Sequence, residues 1–355
     1  MRMSACRPRE RVSAPAGARP VTLLDQILAE IRARGTITFA RYADLCLYHS
    51  ELGYYRAPRQ RFGAAGDFYT SAQVHAAFAR LLVRRWAGMW QALGGGPFTL
   101  LEMGAGRGEV AREAQAWAAR AYPEFARSLR YIPLEYGDPL PAPFSGCVFS
   151  NEFFDAQPAH VVRFQSGELY EMHVAERGGR LAWAQGRLSS PELAGWLDRL
   201  HIQPEDGQTI ELSLEAAAWM RRLGALLERG WVITFDYGYR AREISGGRRF
   251  FDGSLMSYRK HTASQEVLRD PGQRDLTAHV NFDLLAEAGR EAGLVESRFC
   301  SQSRYLMDLG QADQFSEVFA DCQTEADRVR ARLLLKTLLF DLGETIQVLE
   351  QSSDE

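Results

Sequence analysis

The sequence predicts an α/β fold, a mostly parallel sheet with helices on both faces. Two observations carry the prediction. Phe98-Thr99-Leu100-Leu101 reads as an apolar strand running into the glycine-rich turn Glu102-Met103-Gly104-Ala105-Gly106-Arg107-Gly108. An amphipathic helix follows, with Val110, Ala114, Trp117, Ala118 and Ala121 on one face. Further compact apolar runs recur downstream, and each ends in a polar or acidic residue: Arg130–Glu135, Gly146–Ser150 and Trp231–Gly238. Strands of that kind are buried on both faces, and ligands bind at their carboxyl ends.

Before the first strand, residues 1–20 are basic, rich in Pro and Ala and without apolar period, which reads as a disordered tail. A helical region over 21–95 follows. Thr22 and Asp25 make a capping box for a helix that runs to Gly35, and a second helix starts near Thr38. His49-Ser50-Glu51-Leu52-Gly53-Tyr54-Tyr55 and Gly66-Asp67-Phe68-Tyr69-Thr70-Ser71 have no period and read as loops that could close over a ligand. Thr70-Ser71 could equally cap the helix expected from Gln73 to Trp90. A main domain over 96–310 carries two expected insertions. Residues 160–187 alternate with period two and predict an antiparallel meander; the second insertion spans 239–282, of which 253–282 is polar and irregular. A helix is expected from Ser213 to Gly230, another over 283–293 and a strand over about 294–301. Residues 311–355 read as C-terminal helices, with 325–350 a Leu- and Arg-rich packing helix.

Composition narrows the function. A net charge of −3 argues against broad nucleic-acid binding, and no apolar run approaches a membrane span. Five scattered cysteines without C-x-x-C spacing fit a reducing compartment, taken as the cytoplasm, and no structural zinc. His261 and His279 lack any H-x-x-x-H partner, so no metal site is expected. Lys260 and Lys336 are the only lysines, which makes lysine-based catalysis improbable.

The glycine spacing selects the cofactor. A dinucleotide turn requires G-x-G-x-x-G, but position 109 is Glu; no G-K-[ST] follows either, which excludes a phosphate loop. The pattern Glu102-x-Gly104-x-Gly106-x-Gly108 resembles the first motif of class I S-adenosylmethionine-dependent methyltransferases. An acid at the end of the second strand, Glu135, is placed to bind ribose hydroxyls. Asn151-Glu152-Phe153-Phe154-Asp155-Ala156-Gln157-Pro158, at the end of the next strand, sets polar groups around two adjacent phenylalanines and reads as the reaction-centre loop.

Taken together, six ordered blocks between about Tyr48 and Gly310 resemble the MidA-like methyltransferases: His49–Tyr55, Gly66–Ser71, Glu102–Gly108, Asn151–Pro158, Asp236–Gly238 and Pro271–Phe282. The resemblance implies a Rossmann-like class I methyltransferase fold and S-adenosyl-L-methionine as donor. It implies as acceptor a protein arginine, in the family one on a respiratory-complex subunit. Carried over by motif, Glu102, Gly104, Gly106 and Gly108 would line the donor site, with Gly66, Asp67, Thr70 and Ser71 covering it. Asn151, Glu152 and Asp155 would face the transferring methyl. Ser50 stands where the family has Pro. The family also has a further helix and strand between its second strand and N-E-F-F-D, whereas about 15 residues separate Glu135 from Asn151 here. That puts the adenine pocket, Glu135 and acceptor choice in question. A small-molecule methyltransferase, a donor-binding assembly factor without turnover and, more remotely, a dinucleotide oxidoreductase stay open as alternatives.

Overall fold

A computed structural model describes residues 21–56, 76–260 and 262–353. Its centre is a seven-stranded sheet. Strands β2 (Phe98–Met103), β3 (Leu129–Leu134), β4 (Phe144–Asn151), β9 (Leu227–Tyr239), β14 (Leu294–Ser301) and β15 (Ile346–Ser353) lie in the order β14-β15-β9-β4-β2-β3, with the short β13 (Val280–Asn281) paired to β9. The β3-β2-β4-β9 pairings are parallel and those of β15 antiparallel. Successive side chains point to opposite faces, and both faces are apolar. Leu100, Cys147, Phe149, Ile233, Phe235 and Val348 pack into one layer with α3 (Ala76–Ala92) and α4 (Glu109–Ala121). Leu101, Met103, Val148, Val232 and Leu349 pack into the opposite layer. That layer holds α5 (Glu192–Arg199), α6 (Leu214–Leu226) and α7 (Phe282–Glu291).

A second sheet is antiparallel: β1 (Ile37–Thr38), β6 (Glu168–Arg177), β5 (His160–Gln165) and β8 (Thr209–Leu212) in that order, with β7 (Arg180–Gly186) on β6. It shares an apolar core with α1 (Leu23–Arg34) and α2 (Phe39–Tyr48), in which Ile27, Ile31, Phe39, Tyr42 and Val174 are buried. Thr22 and Asp25 close the capping box of α1, and the Thr38 hydroxyl accepts from Arg41 N–H at the start of α2. Packed this way, α2 delivers Tyr48 and the segment after it to the carboxyl end of the parallel sheet.

Two expectations need correction. The polar stretch 253–282 is not irregular: β10 (Met256–Arg259), β11 (Thr262–Ser264) and β12 (Asp275–Thr277) make a small antiparallel sheet. These strands are only three or four residues long and too polar to show a period. The C-terminal helix, α8 (Glu325–Lys336), stops well before residue 350, and β15 then inserts between β9 and β14. Glu350 and Gln351 look like a solvated helix face in sequence, yet both are buried. Arg85 and the Tyr305 hydroxyl satisfy Glu350, and Gln351 Nε2 donates to Ala286 O. As the short spacing between Glu135 and Asn151 implies, β3 is an edge strand among the described residues, and residues 135–143 lead straight into β4. No helix and strand intervene there. Tyr136 stands at that edge, with Arg56 donating to its carbonyl at 2.8 Å.

Candidate active site

The carboxyl ends of β2, β3, β4 and β9 surround a cavity of about 300 Å³, where open parallel sheets bind ligands. Gly104 and Gly106 come from the turn after β2, Glu135 and Tyr136 from the end of β3, and Glu152, Phe153, Asp155 and Ala156 from the loop after β4. Tyr48, Tyr55, Tyr237, Met256, Tyr258, Asp275 and His279 complete the wall.

Local backbone geometry explains the glycines. Gly104, Gly106 and Gly108 have φ of 64°, 59° and 67°, in the left-handed region where a side chain is strained. At Gly104 an added Cβ would lie 3.1 Å from Phe153 Cδ2, so the turn and the loop after β4 touch only because that side chain is missing. Gly104 N–H donates to Leu134 O at 2.8 Å, and Gly106 N–H donates to Glu135 Oε1 at 2.5 Å. The acid at the end of β3 therefore sits against the turn it was expected to work beside.

The loop after β4 is held from below. Glu152 adopts φ 53°, a conformation costly for a residue with a side chain, and its N–H donates to Phe235 O at 2.9 Å. Phe153 and Phe154 N–H both donate to Asp236 Oδ2, at 3.1 and 2.7 Å, while Tyr237 N–H donates to Asp236 Oδ1 at 2.9 Å. Asp236 is fully buried and organises the loop without lining the cavity. The sequence offered it only as a strand-end acid.

Not every expected residue reaches the wall. Glu102 shares a strand face with Leu100, so its carboxylate points into the helix layer, where the Tyr131 hydroxyl donates to it at 2.9 Å. Gly108 is the N-cap of α4 and lies back from the cavity. Asn151 ends β4 with its Nδ2 donating to Glu152 Oε1 at 3.2 Å, outside the wall of described residues. Gly66, Asp67, Thr70 and Ser71 lie outside the described residues. Conversely, Tyr48, Tyr55, Tyr136, Tyr258, Asp275 and His279 line the cavity although none was singled out as a site residue. The aromatic density of Tyr48–Tyr55 was the available signal.

The wall is aromatic and acidic. Tyr48 stacks on Tyr136 with ring centroids 4.1 Å apart and on Tyr55 at 5.6 Å; Tyr55 Oη donates to Asp275 Oδ2 at 2.9 Å, and Tyr48 Oη to Ala156 O at 3.1 Å. Burial pushes the Asp155 carboxyl up to about 7, against the pull of nearby backbone N–H groups. Burial, reinforced by the negative charge of Asp155, also raises Asp236. The phenols of Tyr48, Tyr55 and Tyr258 are raised by burial and then by Asp155 and Asp275. A cavity so charged favours a cationic guest. Among the described residues no three side chains are grouped to hold a metal ion.

These features fit a small sulfonium-bearing nucleoside: a turn with no room for a Cβ, an acid at the second strand's tip and an acidic, aromatic interior. The comparisons agree. Residues 81–142 and 136–300 match the family described as "S-adenosyl-L-methionine-dependent methyltransferase". The chain is 27% identical to a Drosophila melanogaster protein arginine methyltransferase NDUFAF7 homolog, mitochondrial, over 77% of this chain and 71% of that one. It is 25% identical to the human protein arginine methyltransferase NDUFAF7, mitochondrial, over 89% and 79%. A Burkholderia thailandensis protein crystallised with S-adenosyl-homocysteine superposes with a TM-score of 0.81 at 29% identity, covering 93% of this chain and 91% of that chain.

The cytoplasmic expectation is corrected by these relatives, which are mitochondrial proteins. Unpaired cysteines register a reducing environment and cannot tell one reducing compartment from another. Among the described residues no helix is long and apolar enough to cross a membrane. With the family match extending over well more than half its length and the cavity built as that chemistry requires, the chain belongs to this family of S-adenosyl-L-methionine-dependent methyltransferases.

Proposed function

We propose that this methyltransferase acts on an arginine side chain of a partner protein. One observation carries the reading: Glu152 and Asp155 face the same cavity as the Gly104–Gly106 turn, inside a wall of tyrosines. The names of the fly and human relatives support it.

In this reading Gly104, Gly106 and Glu135 hold the donor, which supplies an electrophilic methyl carbon. Glu102 and Gly108 shape the turn from behind, and Asn151 steadies Glu152. Gly66, Asp67, Thr70 and Ser71 keep the covering role that the family motif suggests. The antiparallel meander over residues 160–187 is an insertion that, paired with β1 and packed on α2, sets Tyr48 beside a class I catalytic unit spanning residues 96–310 and completed by β15. Helices α1, α2 and α3 precede this unit.

A guanidinium is a poor nucleophile because its lone pair is delocalised over three nitrogens. Carboxylates that accept from two of its N–H groups localise that pair on the third. Glu152 and Asp155, three positions apart on a strained loop, suit this grip. Phe153 and the tyrosines exclude water and offer ring faces to the cation. Arginine is thereby preferred to a neutral acceptor.

Incubating the protein with isotopically labelled donor and a host lysate, then mapping the label by mass spectrometry, tests the reading. Methylarginine in a protein is expected; label confined to a small metabolite would overturn it.

A further inference from the structure

Behind Ala278 and His279 lies a second chamber of about 20 Å³, room for about one water molecule. Gln157, Glu211, His279 and Asn281 line it. Three polar atoms of these residues are buried without a hydrogen-bond partner: Gln157 Oε1, His279 Nδ1 and Asn281 Nδ2. Gln157 is 3% exposed and Asn281 7%. Buried polar atoms are almost always paired, and one water with two to four polar neighbours would satisfy all three.

His279 belongs to both walls, the main cavity's and the chamber's. Its backbone N–H donates to Ser254 Oγ at 2.9 Å, and the rings of Tyr239 and Phe250 pack on the imidazole with centroids 5.3 and 5.1 Å away. Arg249 lies over those same two rings, at 4.8 and 4.9 Å. Burial, and then the charge of Arg249, hold the imidazole down at about 4, so at neutral pH the ring is uncharged, with one nitrogen a hydrogen-bond acceptor. On the far side, Ser254 Oγ donates to Glu211 Oε2 at 3.0 Å, and burial pushes that carboxyl up to about 7. Among the described residues, Glu211 from β8, Arg249 and Tyr239 are titratable groups beside the imidazole or its chamber, and Asp155, Asp275, Tyr237 and Tyr258 share the main cavity's wall with it.

We propose that His279 is the proton acceptor for methyl transfer and that a water in the chamber passes the proton on towards Glu211. This rests on the acceptor being a protonated nitrogen, as read above. The acceptor lone pair forms the new N–C bond, the sulfonium–methyl bond breaks with its electrons remaining on sulfur, and the N–H proton moves to the imidazole. His279 then returns to its neutral form by releasing a proton through the water to the Glu211 carboxylate.

Two kinds of measurement test this. In single-turnover assays, H279Q is expected to slow methyl transfer by about 100-fold or more while donor affinity, by calorimetry, stays within about threefold. E211Q is expected to slow it by about tenfold, a partial loss because water still leaves the chamber. Without any acceptor, a crystal structure should show one water bound to Gln157, His279 and Asn281, and nitrogen-15 spectra at neutral pH should show a neutral His279 ring whose Nδ1 signal shifts in Q157L. A dry chamber, a charged ring, or H279Q turning over within about threefold of the parent would overturn the proposal. If arginine is not labelled by the parent enzyme, the acceptor assignment falls instead, and the chamber water and ring charge still report on His279 by themselves.

Discussion

Replacing Asp155 by asparagine should make the protein more stable and a much worse enzyme. The carboxyl lines the cavity and burial holds it at about 7, against 3.8 for an ordinary aspartate. Each pH unit between those values is worth about 1.4 kcal/mol, so the ionised side chain costs the folded state about 4 kcal/mol at pH 8. An amide of the same shape removes the charge but keeps a desolvation cost of its own, leaving a gain of roughly 2 kcal/mol. For a chain of this size that raises Tm by about 3 °C. The catalytic effect has the opposite sign. Truncating one partner of a buried charged pair costs about 2–5 kcal/mol, so kcat/KM should fall by about 30-fold to a few thousand-fold. Differential scanning calorimetry of the ligand-free variant gives the first number and steady-state assays with the labelled arginine substrate the second. If D155N keeps more than about a third of the parent kcat/KM, or melts below the parent at pH 8, the cation-binding account of Asp155 is wrong.

The remaining predictions concern the supports of the site. Glu102, Asp155 and Glu211 all have folded values near 7, above their unfolded ones. The folded state therefore binds more protons than the unfolded chain between about pH 4.5 and 7, and stability must fall as pH rises through that window; thermal scans of the ligand-free protein should show Tm higher near about pH 5.5 than at pH 8, while methyl transfer rises with pH. G104A places a Cβ 3.1 Å from Phe153 at φ 64°, costing about 1–2 kcal/mol in backbone strain and displacing the ring; calorimetry should show donor affinity down by about tenfold or more, at close to parental Tm. R85A strips the buried Glu350 carboxylate of its cation, leaving only neutral donors such as the Tyr305 hydroxyl; urea unfolding should register a loss of about 3 kcal/mol.

Much of the parallel sheet was legible because its signals are local. Leu100-Leu101 before a glycine turn, Cys147-Val148-Phe149 and Val232-Ile233 are short runs that must be buried on both faces, and Thr22, Thr38 and Ser213 mark helix starts by their own hydroxyls. The glycine turn and the loop at Asn151–Asp155 could be placed at strand ends for the same reason. What escaped depends on partners distant in sequence. Glu350 looks solvated until Arg85 and Tyr305 are brought to it. Glu102 looks like a donor ligand until its strand face is known, and then it belongs to Tyr131. His279 resembled a loop residue because Gln157 and Glu211, which give it a setting, lie 122 and 68 positions away.

The sequence by itself determined the fold class, the glycine turn that selects a methyl donor and the acidic loop beside it, since hydrophobic period, turn chemistry and motif spacing are properties of neighbouring residues. Tertiary structure alone decided which acids line the cavity and which only brace it, that β15 closes the sheet, and that tyrosines from the N-terminal helices complete the wall. Those outcomes turn on which face of a strand a side chain takes and on the company it meets there, and neither is written in the residues next to it.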